Sequence, residues 1–431
     1  MVDTPITLRA PRPTDSDRAR ARKAVVASSI GNALEWFDII VYSSFATVIA
    51  RVFFPGLSGF AGLMMSFLLF AVTYLIRPVG AAVIGNYADR VGRKKALSLT
   101  IIAMMIGTLL MAVAPSAAAI GPVAAGLWLL VSRLIQGFSA GGEFGTATTF
   151  LVESAPDRKG FYGSWQVATQ GAAMFLASLF GLVIFTQLTP AQIDSWGWRV
   201  PFFFGVLIGP VGWYIRRKMD ETAEFTDAEK VKSPLGSALT THLTRVLASA
   251  GIVGLASISV YLILYMPTYS VKSLGLPSYA GYLGGIIAGL VTLCGTPFVG
   301  KLADRVGAGR VMTIAAAAAA VFAWPLFKIL NTWPSVGTLT VVQIGFGILM
   351  ALYFGPLPAL YADLFPTAVR TTGMAVGYNI GVLLFGGFAG LIFTALIEWT
   401  GSNMSLIYYF IAVALLSLVA VVVARRSFGL R

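Results

Sequence analysis

Five ionisable side chains interrupt long apolar stretches in the first half of this chain. Glu35 and Asp38 lie in one stretch, Arg77 in the next, and Arg133 and Glu143 in a third. A charge placed inside a bilayer costs about 2.5 kcal/mol or more on insertion scales, so such residues mark ion pathways or pair with one another. Carboxylates that gain and lose protons, beside guanidinium groups that bind oxyanions, are suited to couple proton movement to anion movement.

Histidine is the side chain that usually gains and loses a proton near neutral pH. The single histidine of the sequence, His242, lies outside the apolar stretches. The proton carrier is therefore predicted to be a buried carboxylate, a group that burial makes easier to protonate and a nearby cation makes harder. Asp38 beside Arg133 is the first choice, and protonation of Asp38 would release Arg133 toward an anionic substrate. Glu35 and Glu143 are competing acids. Alternatively, the five charges only neutralise one another and hold the helices together.

Arg77 has two open interpretations. Its planar guanidinium is suited to hold a substrate carboxylate in a two-pronged fashion, and equally to pair structurally with Glu35 or Glu143. Tyr42, one turn beyond Asp38, is placed either to line a cavity or to pack against neighbours. The second half has no comparable acid or base in mid-stretch. Its candidate substrate contacts are neutral polar side chains: Tyr265, Tyr353, Tyr378 and Asn379.

Composition defines the elements that must position these residues. Hydrophobic residues make up 57% of the 431-residue chain and charged residues 11%, whereas a soluble domain carries about 25% charged residues. The apolar residues form long blocks, not the short alternation of a membrane β-barrel. The sequence therefore predicts an all-α integral membrane protein.

Twelve mostly apolar segments are long enough to cross a hydrocarbon core about 30 Å thick. We number them spans 1 to 12 in chain order. Spans 1–6 are predicted at residues 25–50, 60–86, 96–114, 121–151, 161–188 and 199–216, and spans 7–12 at 246–270, 278–302, 310–330, 337–361, 371–397 and 403–424. The polar stretch 217–245 is the predicted linker between two six-span bundles, 25–216 and 246–424, with tails at 1–24 and 425–431.

The distribution of lysine and arginine predicts the orientation. With the N-terminus inside, 25 of the 31 cations fall in inner segments, four in outer ones, and Arg77 and Arg133 lie inside spans. The outer four are Arg51, Arg199, Lys272 and Lys328. Because cytoplasmic loops carry an excess of Lys and Arg, both termini are predicted to be cytoplasmic. The net charge of +13 is thus mostly a topology signal and does not indicate nucleic-acid binding.

An eleven-residue loop sequence occurs twice, at 85–95 and 300–310, with an offset of 300 − 85 = 215 residues. In both copies an apolar run stops, an Asp-Arg pair follows, a glycine turns the chain, and further cations come next. A repeat at almost half the chain length indicates two similar membrane bundles joined head to tail. Each bundle also ends its fourth span with an acid, Glu153 in the first and Asp363 in the second.

These loops are predicted to form a cytoplasmic gate. Asp89 is expected to cap a neighbouring helix or pair with an arginine. Arg90 and Arg93 are expected to meet Glu153, and Arg305 and Arg310 to meet Asp363. Such pairs form when the inner face closes and break when it opens, which biases the protein toward an outward-facing state. The complete predicted gate comprises Gly85, Asp89, Arg90, Gly92, Arg93, Glu153, Asp304, Arg305, Arg310, Asp363 and Arg370.

The two loops, with twelve spans in two halves, resemble the major facilitator superfamily. The run Arg-Leu-Ile-Gln-Gly at 133–137 is similar to a second motif of that superfamily. More narrowly, the stretches 31–38, 77–80, 141–143, 160–166 and 196–202 resemble the metabolite:proton symporter family. These motifs are specific for the family and not for the substrate. In the second loop Ala308 and Gly309 stand where a second basic residue is common, so a weaker lock is expected there.

The resemblance implies a carrier that works by alternating access between two pseudo-symmetric six-helix bundles. In the sugar-porter branch of the superfamily, an acid on span 1 faces an arginine on span 4 in the coupling role, and Asp38 and Arg133 occupy similar positions. The full set of candidate substrate contacts in the first half is Arg77, Arg133, Asn32, Tyr42, Gln136 and Gln166.

The mid-span arginines favour an anionic or zwitterionic solute. We predict proton-coupled uptake of a small organic acid, of the citrate, tricarboxylate, 2-oxoglutarate or shikimate class. Uptake of a zwitterionic osmolyte of the proline or betaine class is the alternative, and proton-driven efflux or a non-transporting sensor is more distant. The sequence contains no Walker loop, catalytic set or metal-ligand cluster, so neither an enzyme activity nor a cofactor is predicted. The protein is expected to act as a monomer in a bacterial inner membrane.

Overall fold

The computed structural model describes residues 15–91, 93–153, 155–217, 234–366 and 369–430. This part of the chain forms helices and turns, and no strand occurs within it. Nine of the described helices are long and apolar enough to cross a membrane, and a bent pair at span 1 makes a tenth. The shorter helices Arg93–Ala112 and Val200–Arg217 correspond to spans 3 and 6. The predicted all-α membrane fold with twelve spans is confirmed.

The helix bounds follow the predicted spans closely. In the first half span 1 comprises Asp15–Ser44 and Ala46–Phe53, span 2 Gly59–Val91, span 3 Arg93–Ala112, span 4 Pro122–Ala140 and Glu143–Glu153, span 5 Lys159–Gln187, and span 6 Val200–Arg217. In the second half span 7 is Leu243–Lys272, span 8 Ala280–Val306, span 9 Ala308–Thr332, span 10 Val336–Phe354 and Leu357–Leu364, span 11 Arg370–Val382 and Ala389–Thr400, and span 12 Ser405–Phe428.

Short helices occupy some of the connections, at Ala117–Ile120, Pro190–Ser195 and Pro234–Thr240, the last inside the predicted linker. Span 1 differs most from its prediction, since its helix begins at Asp15 and not near residue 25. Hydropathy marks where a helix enters the bilayer, whereas backbone hydrogen bonds continue the helix beyond that point.

Several spans are interrupted within their length. Span 1 bends by 65° between its two helices. Span 4 breaks at Gly141-Gly142 and span 10 at Gly355-Pro356, an offset of 355 − 141 = 214 residues that matches the loop repeat. Span 11 contains a π turn at Leu383–Gly387. Breaks of this kind free backbone groups at membrane depth and are tolerated where the helix is buried in protein.

Glycines bring the helices into close contact. On span 4, Gly137 and Gly141 lie directly against the backbone carbonyls of Thr73 and Arg77 on span 2. Between the halves, a Cβ at Gly289 on span 8 would lie 2.8 Å from the Gly171 carbonyl oxygen of span 5. Small residues permit such approach because helix association in membranes depends on packing and not on hydrophobicity.

Span 7 lies at the centre of the molecule. Other parts of the protein bury 83% of its most apolar 18-residue stretch, compared with 33% of the corresponding stretch of span 9 and 39% of that of span 12. Spans 9 and 12 therefore present much of their apolar surface outward, as helices that face lipid do. The central position of span 7 places Tyr261, Tyr265 and Tyr269 against the first half and the neighbouring spans of the second.

Candidate functional site

Asp38 on span 1 and Arg133 on span 4 form an ion pair, with Arg133 NH2 3.1 Å from Asp38 Oδ2. Both side chains are completely enclosed, at 1% and 0% exposure. The structure therefore brings together the acid and base that the sequence favoured as the coupling pair. Their role in proton coupling stays a prediction.

The protein offers few hydrogen bonds to the Asp38–Arg133 pair. Thr108 donates to Asp38 Oδ1 at 3.2 Å, and Gln136 Nε2 donates to Thr108 at 3.1 Å. The Arg133 guanidinium lies 4.2 Å from the centroid of the Tyr42 ring, a cation–π contact. Asp38 Oδ2 and all three Arg133 nitrogens lack a well-aligned hydrogen bond to any described residue. The two buried charges are therefore held together mainly by Coulomb attraction.

Glu35 and Arg77 form a second buried pair, with Arg77 NH2 2.8 Å from Glu35 Oε1. The Arg77 guanidinium lies 4.4 Å from the centre of the Tyr74 ring. The Tyr74 hydroxyl in turn forms a short hydrogen bond with the Tyr261 hydroxyl of span 7. The pair is therefore linked through Tyr74 to the second half. Glu143, the third acid, is also buried and has interactions of its own.

A group of amide side chains joins spans 1, 4 and 5. Asn32 Nδ2 donates to the Gln166 carbonyl oxygen at 2.8 Å and to Thr169 Oγ1 at 2.7 Å. Gln166 Oε1 accepts a short hydrogen bond from Thr148. Gln170, one turn further along span 5, is 1% exposed, and neither its Nε2 nor its Oε1 has a described partner. Gln170 was not among the residues predicted from the sequence, although two glutamines four residues apart in an apolar span were a usable signal.

The candidate residues of the second half divide into two groups. The Tyr378 ring stacks on Phe144 of span 4 with centroids 3.4 Å apart, and Asn379 Nδ2 donates to the Gly141 carbonyl at 3.1 Å. Both residues therefore reach the break in span 4. Tyr353 and Tyr265 instead hydrogen-bond within the second half, at 2.7 Å to the Ile252 carbonyl and 3.0 Å to Thr394. The structure does not bring their hydroxyls to the charged pairs.

The second loop caps a helix of the opposite half. The Asp304 carboxylate, at the end of span 8, accepts from the backbone N–H groups of Gly160 at 2.7 Å and Phe161 at 3.0 Å, in the first turn of span 5. An acid at a helix N-terminus satisfies free amides and interacts favourably with the helix dipole. Gly300, one turn earlier on span 8, lies directly against the Gly160 backbone. The capping role that the sequence gave to Asp89 is thus observed at Asp304.

Two ion pairs join the halves at the same end, the predicted cytoplasmic end. Arg370 lies 3.3 Å from Glu153, and Lys159 lies 2.8 Å from Asp363. Asp363, which was expected from the sequence to meet Arg305 and Arg310, is held among the described residues by Lys159, from the start of span 5. Gly85 lies in the helix Gly59–Val91, whereas Gly92 and the side chains of Asp89, Arg90 and Arg93 lie outside the described part of the chain.

Comparisons with known proteins identify the family. A sequence profile of the Major Facilitator Superfamily matches residues 29–386. The citrate-proton symporter of Klebsiella pneumoniae is 38% identical over 402 residues, which cover 92% of this chain and 90% of the symporter. The proline/betaine transporter of Escherichia coli (strain K12) is 32% identical over 438 residues, which cover 98% and 87%. A solved proton:xylose symporter shares the fold, with a TM-score of 0.79 at 16% identity over 96% of each chain. The chain belongs to the major facilitator superfamily.

Proposed function

We propose that this protein takes up a small organic acid together with one or more protons. Citrate is the first candidate, because a citrate-proton symporter is 38% identical to this chain over nearly its whole length. The observation that carries the proposal is the buried Asp38–Arg133 pair, whose guanidinium nitrogens lack well-aligned hydrogen bonds to described residues. The proposed location is a bacterial cytoplasmic membrane, with both termini inside and one chain as the functional unit.

The coupling step exchanges the partner of Arg133. A proton that enters from the outer side neutralises the Asp38 carboxylate, and the attraction that held the guanidinium is lost. An unpaired cation in a low-dielectric interior is unfavourable, so Arg133 then binds a substrate carboxylate. When the carrier opens inward the substrate leaves, Arg133 attracts Asp38 again, and the carboxyl proton departs. The proton and the anion therefore both stabilise the loaded state of the carrier, so each of them favours binding of the other.

Alternating access requires the contacts at the predicted cytoplasmic end to break. The proposed moving units are the halves 25–216 and 246–424. The Asp304 cap and the two ion pairs at that end each have one member in either half. The Lys159–Asp363 pair is solvent-exposed and contributes about 0–1 kcal/mol, so a loaded carrier can break it without a large barrier. The Arg370–Glu153 pair is half-buried, at 17% and 16% exposure, and separating it costs more than separating an exposed pair.

Uptake of a zwitterionic osmolyte is the second candidate. Glu35 and Arg77 lie side by side and would offer an acid to an ammonium group and a base to a carboxylate. The proline/betaine transporter at 32% identity favours the same class. Efflux and sensing have no comparable observation in their favour.

Reconstitution into liposomes with an acidic exterior tests the proposal. We expect labelled citrate, or another carboxylate such as 2-oxoglutarate or shikimate, to accumulate above its external concentration, and a protonophore to abolish the accumulation. Uptake of proline or betaine with no carboxylate uptake would establish the second candidate. Absence of gradient-dependent uptake of all five solutes would refute proton symport of either class.

Gln170 supports a substrate that carries a hydroxyl as well as carboxylates. Gln170 lies two turns beyond Gly163 on span 5 and therefore on the same face of the helix. A Cβ added at Gly163 would lie 2.8 Å from Pro358 of span 10, so this face of span 5 is directed at the second half. Asn32 contacts Thr169, which places Gln170 at about the level of Glu35. The free amide needs both an acceptor for its Nε2 and a donor for its Oε1. A hydroxy acid offers both, whereas betaine offers no donor.

Gln170→Leu is therefore expected to raise the KM for citrate about tenfold, because a buried hydrogen bond to an unpaired partner is worth about 1–3 kcal/mol. The affinity for tricarballylate, which is citrate without its hydroxyl, should fall less, since tricarballylate makes one hydrogen bond fewer to Gln170. Competition of each unlabelled acid against labelled citrate measures the difference. Gln187→Leu, at an exposed position on the same span, is the control. Equal losses for both acids would contradict the hydroxyl contact.

A further inference from the structure

A pocket of about 270 Å³ lies where the end of span 1 and the start of span 2 meet the end of span 7. Its lining includes Thr47, Arg51, Ser58, Leu63 and Lys272. Spans 1 and 2 belong to the first half and span 7 to the second, so the pocket lies on the boundary that alternating access must open. This is the end of the molecule opposite the Asp304 cap, and the sequence assigns it to the outer side.

The pocket concentrates positive charge. Arg51 and Lys272, two of the four cations that the sequence places outside, both line it and come from opposite halves. None of the described residues in its lining is acidic. The Lys272 Nζ lies 3.7 Å from the position that a Cβ at Gly59 would take, so the ammonium reaches across the boundary to the first residue of span 2.

The two cations differ in how they are held. Asp194, outside the lining, fixes Arg51 through two hydrogen bonds, to its Nε at 3.2 Å and its NH2 at 2.8 Å. For Lys272 the described residues offer no carboxylate within ion-pair distance. One guanidinium that is paired with Asp194 and one ammonium without a described carboxylate partner, from different halves, leave a net positive mouth that attracts anions.

We propose that this pocket is an outer capture site for the carboxylate substrate, which binds between Lys272 and Arg51 before it reaches Arg133. The proposal rests on the proposed uptake of an organic acid and adds a second site to it. A polycarboxylate with two or three charges spans two cations better than a monoanion does. Cations at the mouth of a cleft raise the local concentration of such an anion and its association rate. Because the walls belong to different halves, closure of the outer end changes the pocket and releases the anion inward.

Lys272→Gln tests the site. In cells at low ionic strength we expect the KM for labelled citrate uptake to rise about threefold with an unchanged maximal rate, the effect of removing one screened charge about 6 Å from a divalent anion. The shift should shrink in about 0.5 M salt, where the Debye length falls to a few ångströms. Lys272→Arg should retain the wild-type KM. Citrate entry from the opposite face, measured in inverted vesicles, should not change.

Two further variants sharpen the test. Lys328→Gln removes an exposed outer cation on span 9 that is not in the pocket lining, and should behave as wild type. Asp194→Asn frees Arg51 and should lower the KM for citrate. An unchanged KM in Lys272→Gln, an equal shift in Lys328→Gln, or an equal shift from both membrane faces would overturn the capture site while the proposed uptake stands. A wild-type protein that moves no carboxylate would overturn both proposals.

Discussion

Replacing Asp38 with asparagine is expected to abolish proton-driven accumulation while substrate exchange across the membrane continues. Asparagine has the shape of a protonated aspartate but binds and releases no proton, so Arg133 remains available to the substrate. One unit of pH is worth 1.36 kcal/mol, about tenfold accumulation per proton in wild type, and the variant should reach a ratio of about 1. Gradient-driven uptake and counterflow of labelled citrate, measured on the same proteoliposomes, separate the two activities.

The same variant has a second, independent readout. Leaving Arg133 buried without its acid should destabilise the substrate-free protein by about 3–5 kcal/mol, and saturating substrate should restore part of this loss. Asp157→Asn, which removes an exposed carboxylate beside span 5, is the matched control. Asp38→Glu retains a carboxyl group and should retain some accumulation. If Asp38→Asn accumulates citrate as wild type does, the coupling acid is another residue, with Glu35 and Glu143 next in order.

Gly300→Ala is expected to reduce the initial uptake rate by about tenfold or more. An added Cβ would overlap the Gly160 carbonyl oxygen and lie 2.6 Å from Ser164 Oγ. The serine side chain is able to rotate away, but the span 5 backbone is not. Overpacking costs about 1–3 kcal/mol, and here it acts on the closed state of the predicted cytoplasmic end. The carrier should therefore spend more time open at that end.

Cysteine labelling measures this shift. Thr149 is buried beside Thr371, 3.2 Å away at the interface of spans 4 and 11, and Thr149→Cys in a Cys294→Ser background reports opening there. We expect faster labelling from the cytoplasmic face in inverted vesicles when Gly300→Ala is added. Gly295→Ala is the matched control on the same helix, because its Cβ would make an ordinary 3.5 Å contact with Ala351. Slow uptake with unchanged labelling would show that the defect is not in the gate.

Hydropathy and motifs were sufficient for the architecture. Apolar runs of membrane-spanning length predicted twelve helices, because a helix in lipid must satisfy its own backbone and therefore appears as a long apolar block. The repeated loop predicted the two similar halves. Charges within apolar runs identified Asp38, Arg133, Glu35 and Arg77 as the residues to examine, since burial of a charge is too unfavourable to be accidental.

The sequence did not predict in the same way which acid pairs with which base. The sequence left Arg77 between Glu35 and Glu143, and the structure shows a contact of 2.8 Å with Glu35. Asp363 was assigned to Arg305 or Arg310, yet Lys159 of the other half reaches it. Thr108 carries no charge and forms no sequence pattern, so only its contact with Asp38 reveals it. The spacing of Gln166 and Gln170 was a usable signal, but only the structure shows that the Gln170 amide is buried without a described partner.

The sequence by itself thus determined the membrane class, the twelve spans, the duplication and the set of buried charges. Only the tertiary structure decided which acid faces which base, that Asp304 caps span 5, and that Arg51 and Lys272 share one pocket. The physical reason is that hydropathy fixes where a helix lies along the membrane normal, whereas its rotation and its neighbours depend on packing between residues 100 or more positions apart, such as Gly160 with Gly300. Pairing is a property of that packing, and no local pattern in the chain encodes it.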